Sequence, residues 1–83
     1  MKVTVRYFAA LREALGAQEA VQLGQGATLG ALLDQLIATS PRHADALRRG
    51  RALRCALNQV LVDENTQLED GAEVAFFPPV TGG

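Results

Sequence analysis

The chain has 83 residues, 48% hydrophobic and 20% charged, with a formal net charge of -1. This suits one domain with a thin core and excludes intrinsic disorder. The eight basic residues form no stripe with interleaved aromatics, so nucleic-acid binding has no footing. No apolar run reaches the length of a membrane span. A single cysteine cannot make an internal disulfide, which fits a reducing, cytoplasmic setting.

The opening "MKVTVRYF" alternates charged and apolar residues, so it reads as a strand rather than a signal peptide. Val3, Val5 and Tyr7 share one face, and Lys2, Thr4 and Arg6 the other. "AALREALG" follows as a short helix, with Leu11 and Leu15 four apart and Gly16 as its stop. "EAVQL", residues 19–23, reads as a second strand, and "GQGA" as a turn. Thr28 then caps the main helix, whose stripe is Leu29, Leu32, Leu33, Leu36 and Ile37. Ser40–Pro41 restarts a cap, predicting a further helix to Gly50 with Arg48 and Arg49 in its last turn.

The last third predicts strands. "LRCALN" places Leu53, Cys55 and Leu57 together. After the polar pair Asn58–Gln59, "VLV" forms a short strand, residues 60–62. "DENTQLEDGA" is a turn-rich connection with a tight turn at Asp70–Gly71. "EVAFF" is the final strand. A helix stripe has to be buried against a sheet face. The expected fold is therefore α+β: a β-grasp roll, a mixed sheet packed on one main helix. Residues 1–77 form the domain and 78–83 a flexible tail.

The body of the chain carries no complete active site. One histidine and one cysteine fall short of a structural zinc site. Cys55 reads as inert core between two leucines. His43, beside Arg42 in a polar helical stretch, reads as a solvated surface residue. "GQG" lacks the further glycine and lysine of a phosphate loop. The carboxylates are scattered.

Parity is more informative. With Val3, Val5 and Tyr7 inward, Phe8 falls on the opposite side or at the strand's end. With Val60 and Val62 inward, Leu61 faces out. With Val74 and Phe76 inward, Phe77 faces out. Phe8, Leu61 and Phe77 would together make an apolar patch away from the helix, which marks a partner surface if the three are adjacent. Phe77 leads into the tail. Pro78 and Pro79 project the chain in a polyproline-like path. Val80 and Thr81 are stiff. Gly82 and Gly83 can enter a slot that admits only backbone. Such a tail suits delivery of a terminal carboxylate into another protein's active site.

Four segments, "RYFAALREALG", "ALNQVLV", "LEDGAEVA" and "FFPPVTGG", resemble the small subunits of molybdopterin synthases, a ubiquitin-like sulfur carrier family. The resemblance covers nearly the whole chain and is most specific in the last eight residues. It implies a β-grasp fold and a chain that is non-catalytic alone but forms part of a heteromeric sulfurtransferase. Gly83 would be adenylated and then converted to a thiocarboxylate, with Gly82 as the slender entry segment. Sulfur would pass to cyclic pyranopterin monophosphate to build the molybdopterin dithiolene of the molybdenum cofactor. Phe8, Leu61, Phe77, Pro78, Pro79, Val80 and Thr81 would contact partners. The implied partners are a large catalytic subunit, in a heterotetramer, and a ubiquitin-activating-enzyme-like adenylyltransferase. That enzyme would use ATP, and this chain would bind no cofactor, metal, nucleic acid or membrane. Two alternatives share the terminal chemistry: a β-grasp carrier serving thiamine, tRNA thiolation or cysteine synthesis, and a ubiquitin-like protein modifier.

Overall fold

The structure, a computed structural model, describes residues 1–48 and 52–79. The elements run β1 (Lys2–Tyr7), α1 (Ala10–Leu15), β2 (Gln18–Gln22), α2 (Leu29–Ile37), α3 (Pro41–Leu47), β3 (Arg54–Leu57), β4 (Val60–Leu61) and β5 (Glu73–Phe77). The strands form one five-stranded sheet in the order β2-β1-β5-β3-β4. β1 and β5 pair in parallel at its centre, and the remaining pairs are antiparallel. This is the mixed β-grasp sheet that the order of elements predicted.

Alternation decides which face of the sheet is covered. Val3, Val5 and Tyr7 of β1, Val74 and Phe76 of β5, and Cys55 of β3 all enter the core. They meet the α2 stripe of Leu29, Leu32, Leu33 and Leu36, all buried, with Ile37 packed at its margin. Tyr7 and Phe76, among the largest fully buried side chains, stack with ring centroids 6.4 Å apart. Both predicted caps form. Thr28 Oγ1 accepts from the Ala31 N–H at 3.2 Å, and Ser40 Oγ from the His43 N–H at 3.1 Å. The first turn of α2 is also closed by the loop before β5: Leu29 N–H donates to Thr66 O and Gly30 N–H to Glu64 O, each at 2.9 Å. A Cβ on Gly30 would sit 3.2–3.4 Å from atoms of Glu64, so the small residue lets the loop pass.

The elements differ from expectation at α3, β2 and β4, and Val60 differs in its burial. α3 ends at Leu47 rather than Gly50, because Arg48 turns to ψ 143 and leaves the helix. Arg48 thus lies beyond the last turn, and Arg49 and Gly50 lie outside the described residues. β2 and β4 are each displaced or shortened by one residue against the expected 19–23 and 60–62. Val60, expected inward, is 63% exposed. It stands opposite Leu57, on the helix side of the sheet, but at the sheet edge beside a turn, where no described residue covers it.

Candidate docking face and tail root

The three described helices pack on one side of the sheet, and no described element covers the other. The register fixes what stands there. Arg6, Ala75, Ala56 and Leu61 line up across β1, β5, β3 and β4. One dyad further along, Phe77 stands opposite Arg54. The parallel register of β1 and β5, continued one residue, sets Phe8 beside Phe77, and the Phe8 N–H donates to Phe76 O at 3.3 Å. Phe8 and Leu61 are exposed and Phe77 is half-buried. The three predicted patch residues therefore share a face. Phe8 and Phe77 are neighbours, and the half-buried Ala75 and the buried Ala56 stand in register between them and Leu61. The alanines are the part that parity reasoning missed, because small side chains look neutral until the register sets them between larger ones.

Charge frames this surface. The Arg6 guanidinium lies 5.2 Å from the centroid of the Phe8 ring, a cation–π distance. Its Nη1 also lies 3.6 Å from Glu73 Oε1, an exposed pair that contributes little to stability. Arg54 is exposed opposite Phe77. An apolar strip bordered by arginines is a protein-docking composition, with aromatic and arginine anchors.

β5 ends in this face. It is the central strand, held by β1 on one side and β3 on the other, so the segment that follows leaves from the middle of the sheet. Pro78 and Pro79 follow directly and are half-buried. Val80, Thr81, Gly82 and Gly83, which carry the predicted entry segment and terminal carboxylate, lie outside the described residues.

His43 is not the solvated surface residue that its neighbours in sequence suggested. Its side chain is only 15% exposed, and Nε2 donates to Glu19 Oε2 at 2.8 Å. The Tyr7 hydroxyl donates to the same carboxylate oxygen at 2.7 Å. In the neutral ring this leaves Nδ1 to accept from the Ser40 hydroxyl, 2.8 Å away. Burial, followed by the hydrogen bond to Glu19 and its charge, pushes the Tyr7 phenol well above its ordinary value. The network ties α3 to β1 and β2 on the covered side of the sheet and does not reach the docking face.

Cys55 is buried, as expected. Burial, with a smaller contribution from the Glu64 charge, pushes its thiol up to about 11, so it is protonated and unreactive at neutral pH. A shallow pocket of about 290 Å³ lies beside it, between Leu61 and Glu64. Among the described residues, no group of three or more His, Cys, Asp and Glu side chains could hold a metal ion. None of the described helices is long and apolar enough to cross a membrane.

Comparison with known proteins agrees with this geometry. The sequence pattern of the ThiS family matches residues 5–83. The molybdopterin synthase sulfur carrier subunit of Escherichia coli (strain K12) is 44% identical over 81 residues, covering 98% of this chain and 99% of that protein. Among solved structures, small archaeal modifier protein 1 of H. volcanii superposes with a TM-score of 0.80 at 26% identity, over 95% of this chain and 98% of that one. A complex of subunits 1 and 2 of the molybdopterin-converting factor from Helicobacter pylori 26695 matches with a TM-score of 0.70 at 28% identity, over the whole of both chains. With the family pattern spanning nearly its full length and a 44% identical relative of the same size, the chain belongs to the ThiS family.

Proposed function

We propose that this chain is the sulfur carrier subunit of a molybdopterin synthase in molybdenum cofactor biosynthesis. The observation that carries the reading is the placement of "FFPP", the described part of "FFPPVTGG". Its first phenylalanine is locked in the core, its second lies on the docking face, and the prolines leave from the central strand. The full-length likeness to the Escherichia coli carrier subunit supports it.

The chemistry belongs to the terminus. A carboxylate resists nucleophiles because it lacks a good leaving group. In our reading an adenylyltransferase partner uses ATP: a carboxylate oxygen of Gly83 attacks the α-phosphate, and pyrophosphate leaves. A sulfide-equivalent nucleophile then attacks the acyl carbon, the bond to AMP breaks, and a thiocarboxylate forms. The large catalytic subunit receives the tail, with Val80 and Thr81 as a stiff spacer and Gly82 in the narrow entry. There sulfur passes to cyclic pyranopterin monophosphate. Phe8, Leu61, Phe77, Pro78 and Pro79 hold the carrier against its partners. Two small and two large subunits make up the assembly, in the cytoplasm. This chain supplies the reactive end and binds no cofactor itself.

The test is intact-mass analysis after incubation with the activating enzyme, ATP and a sulfur source. One sulfur-for-oxygen exchange at the terminus is expected, and deletion of Gly83 is expected to abolish it with the fold unchanged. Full transfer by the deleted chain would refute the reading. A protein modifier is the second reading, favoured by the likeness to the archaeal modifier. Attachment to lysines without a thiocarboxylate would put it first.

A further inference from the structure

Among the described residues, the β3–β4 hairpin is the one place where large apolar side chains are exposed on both faces of the sheet. Val60 and Leu61 are 63% and 61% exposed, and alternation sends them to opposite sides. Leu61 belongs to the docking face, opposite Ala56. Val60, opposite Leu57, does not. A partner confined to the bare face would leave Val60 in water, whereas one that wraps the sheet edge would cover both.

Among the described residues, nothing pairs with the outer backbone edge of β4. The Val62 N–H donates to Cys55 O at 3.2 Å, so Val62 points its hydrogen-bonding groups into the sheet. Groups alternate along an antiparallel strand, so the N–H and C=O of Leu61 point outward. The hairpin is held firmly for this role. Asn58 N–H donates to Glu73 O at 2.8 Å, and Glu73 N–H donates to Asn58 Oδ1 at 3.0 Å, tying the turn to the central strand. The opposite edge is partly stopped, since the Gln35 side chain donates to the outward Gln22 carbonyl at 2.9 Å. It also presents no large exposed apolar side chain.

From these features we infer that β4 is a strand-addition site, where an extended segment of the large-subunit partner pairs with the Leu61 backbone while Val60 and Leu61 grip it from either side. The inference rests on the carrier reading above. A two-residue strand offers one pair of hydrogen bonds, too little to hold a second copy of this chain by itself. It is enough to fix the register of a partner already seated on the adjoining face, and this continuity through Leu61 selects the partner as the occupant.

The experiment is residue-resolved amide exchange by NMR on the labelled full chain, free and with its purified large subunit. The Leu61 amide is expected to exchange rapidly in the free chain and at least about tenfold more slowly in the complex. The outward Ala20 amide on the opposite edge should stay unchanged. Val60→Ser and a synthetic chain N-methylated at Leu61 should each lose about tenfold in affinity. A complex that forms with unchanged Leu61 exchange and undiminished Val60→Ser affinity overturns the strand-addition site and leaves the carrier reading standing. If no complex forms, the carrier reading fails and takes this inference with it. Leu61 protection that grows with the chain's own concentration, without partner, assigns the edge to a second copy and overturns the proposal.

Discussion

At the scale of single residues, the Glu19 carboxylate organises the covered side of the sheet. One of its oxygens receives both the Tyr7 hydroxyl and His43 Nε2–H. Removing the imidazole in His43→Ala deletes a charge-assisted hydrogen bond at a half-buried site and should cost about 1–2 kcal/mol of stability, read from denaturant unfolding. Partner affinity should be unchanged, because the network lies away from the docking face. Cys55 gives a pH prediction with a definite sign. Its thiol titrates near 9.0 when unfolded and near 11 when folded, so between those values the folded chain binds more protons than the unfolded one. Stability is therefore intact below about pH 9 and is lost as pH rises to about 11. Thermal unfolding across that window, compared with Cys55→Ala, checks it: the variant should show a weaker decline.

Among the elements, the β3–β4 hairpin shows a local compromise. Its two turn residues, Asn58 and Gln59, have φ of 49° and 73°, the left-handed pair of a type I′ turn. Asn tolerates that region and uses its side chain to hold Glu73. Gln59 has no such compensation, so Gln59→Gly should stabilise the chain by about 0.5–1 kcal/mol in chemical denaturation. Gly71, with φ 83°, already has the residue its turn requires, and its N–H donates to Lys2 O at 2.8 Å. The cap of α2 is the other sensitive point: Thr28→Ala should cost about 1 kcal/mol by the same measurement. The strength of this cap in the sequence explains why α2 was placed correctly, whereas α3, with no stop residue before Gly50, was read too long.

On the scale of the whole molecule, the fold separates stability from function by using the two sheet faces differently. The inner face and α2 hold the core, and in the reading proposed above the outer face serves partners. Phe77→Ala tests this division directly. Phe77 is only half-buried, so the substitution should weaken partner binding by about 1.5–3 kcal/mol, the scale of burying one large side chain, and lower stability by less. Titration calorimetry beside denaturant unfolding reads both quantities. Phe76→Ala should do the reverse, because that ring is fully buried against Tyr7.

Taken alone, the sequence determined the elements, the inward residues of β1, β3 and β5 and the α2 stripe. Each of these is written in local periodicity or in a run of neighbouring residues. Tertiary structure decided what depends on residues far apart in the chain. Register brought Ala56 and Ala75 between Leu61 and Phe77. Strand order put β5 at the centre, so that Pro78 and Pro79 follow from the middle of the sheet. Helix packing set His43 against Glu19, 24 positions earlier, where no local pattern could announce it. The edge position of β4 turned Val60 from an expected core residue into an exposed one, because burial requires a neighbour on that side and alternation alone supplies none.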